Sequence, residues 1–206
     1  KLWPQKIIEA GSIVQHSIVW GTRQPKKLFG IEGISGIINI ELTPEFSAKL
    51  AAAYASTMGS KAKIVVSSDN NPPSQMLREA VSCGLQSTGV EVFNIGIGTT
   101  PMHRYAIRKY NYSGGIHVKT SSRDPEIAHL VFTNKRGSNI SRNKERKIEN
   151  ILAREDFRRT SADRLSNARY VPKILEDYLK SITDNINKQS ICKANYKVLI
   201  AYDRSE

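Results

Sequence analysis

The sequence predicts an α/β chain: a three-layer α/β/α sandwich on a mixed sheet. Short β-branched runs alternate with helical segments of about ten to fifteen residues, the rhythm of strand–helix units. Polar, Pro- or Gly-containing loops lead from strand ends into helix starts. At 206 residues with 39% hydrophobic content, the chain is long enough to bury a core without staples.

The elements follow in order. Leu2, Ile8, Val14 and Trp20 recur six apart, and Ile7, Ile13 and Val19 form a second series at that spacing. Six is the length of one side of a left-handed β-helix coil. Residues 1–22 are therefore expected to be the end of a hexapeptide β-helix, and 23–27 a linker. Residues 36–41 read as a strand. Thr43, Pro44 and Glu45 supply an N-cap, a first-turn proline and an acid against the dipole of a helix ending near Gly59. A strand at 62–67, a polar loop at 69–74 and a helix to about residue 87 come next. A strand at 90–95 leads through Gly96-Ile97-Gly98-Thr99-Thr100-Pro101 to a helix over 102–110. Strands at 115–120 and 129–133 flank another polar loop, and Ser141 is placed to cap a helix over 142–152.

Beyond residue 160, Ile174, Leu175, Tyr178, Leu179, Ile182 and Ile186 mark an amphipathic helix, and 197–201 start one more strand. One helix and one strand cannot close a core. Residues 160–206 thus read as a linker helix and the truncated start of a second α/β domain, after a first domain at 28–159. The chain starts mid-pattern and stops just past an apolar run, so it is expected to be a piece of a longer protein.

Composition excludes several classes. No apolar run approaches the roughly eighteen residues of a spanning helix, so no membrane partner is expected. Cys83 and Cys192 build neither a disulfide framework nor a zinc quartet, which fits a reducing, cytoplasmic setting. His16, His103, His117 and His129 show no helical metal spacing and are expected to be satisfied structural side chains, with His117 and His129 near each other on strands. The net charge of +12 motivates a basic nucleic-acid-binding module as an alternative. Against it, the charges are dispersed among acids, aromatic residues are only 7%, and no helix-turn-helix, zinc finger or RNP motif is present.

Several segments carry a family likeness. Leu28-Phe29-Gly30-Ile31-Glu32-Gly33-Ile34-Ser35-Gly36 is similar to L-F-G-T-D-G-I-R-G. Glu41-Leu42-Thr43-Pro44-Glu45 matches a first helix cap, and Ser68-Asp69-Asn70-Asn71-Pro72 is similar to G-R-D-T-R-P. Gly84-Leu85-Gln86-Ser87-Thr88-Gly89-Val90 and Thr100-Pro101 also match. Over about residues 28–157 the chain resembles domain I of the phosphohexomutases, the phosphoglucomutase/phosphomannomutase superfamily. Its flanks resemble fusion proteins in which a sugar-1-phosphate nucleotidyltransferase and its β-helix precede a phosphomannomutase-like module. Such fusions are labelled mannose-1-phosphate guanylyltransferase.

The resemblance implies hexose phosphates, such as mannose or glucose phosphate, as ligands. It also implies magnesium as cofactor and a phosphoserine in a T-A-S-H-N-P loop. An ungapped count from Gly114-Gly115 places Ser121 at the phosphoserine, with Pro125 and Phe132 on family positions; a shift of one places Ser122 there. The neighbours depart: Lys119 stands at the Thr, Ser122 at the His and Arg123 at the Asn. Ser35 and Asn71 replace family arginines, and Val131 replaces a lysine. Losing one electrostatic donor alone can cost about a hundredfold in rate. Lys119 and Arg123 are the cations left beside the serine, and Thr100 is a third phosphate-binding candidate at a helix start. The family's magnesium loop, D-G-D-x-D-R, is absent here and would lie beyond Glu206, leaving phosphorylated Ser121 as this chain's only candidate ligand. The expected function is a mutase-like module of a sugar-nucleotide enzyme, degenerate at the phosphoserine and serving hexose-phosphate binding, regulation or assembly. An active mutase using Ser121 is the alternative.

Overall fold

Period-two alternation decides the layers. A computed structural model describes residues 28–200; the expected β-helix end and the linker at 23–27 lie outside the described residues. In strand Lys63–Ser68, Ile64 and Val66 enter one hydrophobic cluster and Val65 a second on the opposite face.

Seven strands form one sheet: β1 (Phe29–Gly30), β2 (Gly33–Ile37), β3 (Lys63–Ser68), β4 (Glu91–Ile97), β5 (Gly114–Thr120), β6 (Ile127–Asn134) and β7 (Arg169–Tyr170). Their order is β1-β2-β6-β5-β3-β4-β7. Pairing is antiparallel from β1 to β5 and parallel from β5 to β7, so the sheet is mixed, as the sequence predicts. Helices α1 (Pro44–Ser56) and α2 (Pro72–Gln86) cover one face. Helix α3 (Thr100–Lys109) lies on the other, and α4 (Arg142–Arg154) packs beside α1. Helix α5 (Ile174–Thr183) packs on α3, and the short α6 (Lys188–Ala194) follows. Among the described residues no helix is long and apolar enough to cross a membrane.

Several boundaries differ from expectation. The strand expected at 36–41 is displaced: β2 ends at Ile37, because the amides of Glu41 and Leu42 turn back onto the Ile37 carbonyl and Asn39 takes φ +62. Helix α2 starts at Pro72, so the loop shrinks to 69–71. Prolines fit a helix's first positions, where an amide donor is not needed. Helix α3 begins at Thr100, two residues before the expected start, and Thr99 caps it by accepting the Met102 amide at 3.4 Å.

The tail also differs. Residues 169–170 pair with β4 as an unforeseen edge strand, and Ile174 is buried against α3. The Tyr110 hydroxyl donates to Asp177 at 2.5 Å. The first part of the tail thus belongs to this sheet and its α3 layer. Of the strand expected at 197–201, residues 197–200 have no regular structure and Leu199 is 95% exposed, while residue 201 lies outside the described residues. A strand needs a ladder partner, and β7 already occupies the β4 edge.

A buried polar bridge joins the layers. The Gly114-Gly115 pair makes room on both faces: a Cβ at Gly114 would strike the Tyr54 hydroxyl, and one at Gly115 the His103 ring. Tyr54 donates to the Thr133 carbonyl at 2.6 Å. The Thr133 hydroxyl donates to the Gly115 carbonyl at 3.0 Å, so at 3.1 Å it must accept from His103 Nε2. Neutral His103 is then bare at Nδ1 and accepts the Ser67 hydroxyl at 2.7 Å. Ser67 in turn accepts from His117 Nδ1 at 2.8 Å. The histidine pair that meets is therefore His103 with His117. His129 sits two residues out of register with His117 and belongs to another group.

Arg158 pins the domain's exit. Its guanidinium donates to the carbonyls of Thr88 at 3.0 Å, Met58 at 2.5 Å and Ala55 at 3.2 Å. Two of these close the negative end of α1.

Two predictions arise. Burial, with help from His117 and Arg104, holds the His103 pKa well below its ordinary value. The unfolded chain binds this proton near pH 6.5 and the folded chain does not. The stabilisation is therefore complete above pH 6.5 and drains away as pH falls toward the depressed folded value, at up to about 1.4 kcal/mol per unit. Urea midpoints between pH 7.5 and 5 should fall more steeply for wild type than for His103→Gln; equal slopes would refute the assignment. Second, Arg158→Met should cost about 2–4 kcal/mol in urea unfolding, with Arg158→Lys recovering less than half. A loss below about 0.5 kcal/mol would show that the three carbonyl contacts are dispensable.

Candidate functional site

The serine loop is a tight turn tied to its neighbours. The Ser121 amide donates to Ile127 O at 2.8 Å, and the Arg123 amide donates to Ser121 Oγ at 3.2 Å. Asp124 turns the chain back by accepting the Glu126 amide at 3.0 Å. Asp69, 2% exposed, tethers the loop to the end of β3: its carboxylate accepts the Thr120 amide at 2.7 Å and the Asn71 amide at 3.0 Å. Ser74 on α2 bonds the Thr120 hydroxyl at 2.9 Å.

Alternation then sorts the loop's side chains. Thr120 faces α2, so Lys119 and Ser121 lie on the opposite face. There α3 covers β3 and β5, while Ser35 and Ile37 of β2 remain exposed. Ser121 is half-buried; Ser122 and Arg123 are exposed.

One row of this open face carries four polar groups. Lys119, His129 and Ser35 are register partners across β5, β6 and β2. Ser35 Oγ bonds His129 Nδ1 at 2.8 Å. Glu32 Oε2, from the β1–β2 turn, lies 3.2 Å from Lys119 Nζ and 3.9 Å from His129 Nε2.

Ser35, Asn71 and Val131, at which the resemblance implied cations, are all engaged internally. Ser35 bonds His129, the Asn71 amide group donates to Asp69 at 3.0 Å, and Val131 is 4% exposed. Lys119 lies in β5, one residue before its end, and Ser121 and Arg123 lie on the turn that follows, where the Arg123 amide donates to Ser121 Oγ. Thr100 stands apart, at the start of α3 beyond β4, two strands away from β5, where it lines a groove between α3 and α5. Sequence reasoning did not single out Glu32, His129 or Asp69 as parts of this site. Glu32 lies in the opening glycine-rich motif, but its partners become visible only with the β2-β6-β5 register.

Among the described residues no group of three or more His, Cys, Asp or Glu side chains is placed to hold a metal ion. The donors present do not fit a closed magnesium cage, and Asp69 already accepts three hydrogen bonds. Cys83 and Cys192 are free and exposed.

Comparison with known proteins agrees with this architecture. Residues 26–159 match the family model for phosphoglucomutase/phosphomannomutase, alpha/beta/alpha domain I. A phosphoglucosamine/phosphogalactosamine mutase of Sulfurisphaera tokodaii is 35% identical over 175 residues, covering 84% of this chain and 38% of that protein. A phosphoglucomutase/phosphomannomutase of Thermococcus kodakarensis is 29% identical over 178 residues, covering 84% of this chain and 39% of that protein. The crystal structure of a phosphoglucomutase/phosphomannomutase family protein from Burkholderia thailandensis shares the fold, with a TM-score of 0.66 at 20% identity over 78% of this chain and 36% of that one. The chain thus spans well under half the length of these relatives. With the family model matched over residues 26–159 and the fold shared with a solved member, the chain belongs to the phosphoglucomutase/phosphomannomutase family and carries its α/β/α domain I.

Proposed function

We propose that this domain binds the phosphate of a hexose phosphate at the Ser121 loop without serving as a phosphoryl carrier. One observation carries the reading: Ser35, Asn71 and Val131, where the resemblance implied cations, are each committed to an internal contact, and the Lys119 ammonium faces Glu32. Phosphoryl transfer is mostly positioning and charge neutralisation. A serine loop with one paired lysine and one exposed arginine meets the first need better than the second.

The relatives' names point to mannose, glucose or amino-sugar phosphates as the ligand class. In a cytoplasmic sugar-nucleotide enzyme, a mutase-like module beside a nucleotidyltransferase would serve regulation or assembly. Magnesium, where bound, would neutralise phosphate charge. Its ligands would come from a second domain, with Ser121 the one contact supplied here. Active mutase chemistry is the competing reading, and one contact favours it. Ser121 Oγ accepts the Arg123 amide, which leaves its own proton available for transfer.

The full-length protein, incubated with glucose 1,6-bisphosphate and magnesium, should show less than about a tenth of a phosphate per Ser121 or Ser122 by peptide mass spectrometry. It should nevertheless bind glucose 6-phosphate saturably, with little affinity for random duplex DNA. Stoichiometric phosphate on Ser121, discharged by glucose 6-phosphate, would establish a working mutase instead.

A further inference from the structure

We propose that Glu32 is an internal stand-in for the ligand: its carboxylate occupies the anion position between Lys119 and His129, and a phosphate monoester displaces it to bind those two side chains. This rests on the phosphate-binding reading above and names the residues and the gate.

The geometry is built. Lys119 and His129 are directly opposed across β5 and β6, so their side chains rise side by side from one face. Ser35, next in the row, bonds His129 Nδ1 and so directs Nε2 toward Glu32. When the Ser35 hydroxyl donates to Nδ1, Nε2 carries the hydrogen and offers it to an anion. One carboxylate oxygen lies 3.2 Å from the ammonium and 3.9 Å from Nε2. A phosphate oxygen placed there would bond Lys119, and a second oxygen of the same phosphate, on the His129 side, would close the remaining gap to Nε2.

The turn that delivers Glu32 is held in place. Gly33 takes φ +96 and presses against β6, where a Cβ would fall 2.1 Å from the Leu130 carbonyl oxygen. No L side chain fits there, so the β1–β2 turn lies against β6 with Glu32 over the row.

The gate is also weak. The Glu32 side chain is 55% exposed, and neighbouring Ile31 is 97% exposed, so Glu32 can swing away without unpacking the core. Lys119 is 23% exposed, so the pair is only half-buried, and solvent reaching its Glu32 side tempers its strength. A phosphate monoester carries up to two negative charges and three acceptor oxygens against the single charge of a carboxylate. The exchange therefore favours the phosphate once the ligand is present.

The test uses the full-length protein and titration calorimetry at low ionic strength, with inorganic phosphate and glucose 6-phosphate as probes. Glu32→Gln should tighten both dissociation constants by about threefold to tenfold, because the competitor is gone. Lys119→Met and His129→Gln should each weaken binding about tenfold, and Glu32→Gln combined with Lys119→Met should bind no better than Lys119→Met alone. Unfolding midpoints of Glu32→Gln and wild type should agree within about two degrees, which separates gating from damage. Unchanged or weaker binding by Glu32→Gln overturns the gate. Glucose 6-phosphate binding that ignores all three substitutions also overturns it, while leaving the binding function intact. Absence of binding in both wild type and Glu32→Gln overturns the two together. Phosphate on Ser121 with tighter binding by Glu32→Gln keeps the gate and removes only the non-catalytic reading.

Discussion

The antiparallel ladder between β5 and β6, running from Gly114 opposite Asn134 to Thr120 opposite Ala128, governs most of what lies above and below it. Side chains alternate at every step, so this single register assigns each residue of both strands to a face. Ile116, Val118, Leu130 and Phe132 go to the α1–α2 core. His117 and Thr133 go to the α3 side, where they meet Ser67 and His103. At the far end the same odd positions emerge from beneath α3 as Lys119 and His129. A slip of one residue would bury Lys119 and expose the hydrophobic core.

The buried polar bridge and the open polar row are therefore consecutive stretches of one stripe. Beneath α3 the stripe is buried, and its groups satisfy one another in a directed chain from His117 through Ser67 and His103 to Thr133. Beyond α3 it meets solvent, and charged groups become affordable. Coverage by one helix separates scaffold from site. Asp69 stitches the two regimes together by holding the Thr120 amide where the ladder gives way to the loop.

Net charge contributes little to this account. A value of +12 does not say where cations act, and dispersed surface charges are screened over about 10 Å in ordinary salt. The relevant cations number very few, and one already faces a carboxylate. Position relative to the serine loop, more than total charge, decides what this domain can neutralise.

The sequence by itself determined the α/β class, the mixed sheet and the first four helices to within a few residues. Caps, β-branched runs and turn residues are local signals. It also located the serine loop and the absence of cations at positions 35, 71 and 131, since those are matters of residue identity. Only the tertiary structure decided that β7 completes the sheet and that His103, not His129, partners His117. It alone placed Glu32 between Lys119 and His129. Those facts depend on register between strands dozens of residues apart, or on where an edge remains free to pair. Local sequence encodes the periodicity of each strand, whereas packing against the other layers chooses which periodicities are brought into line.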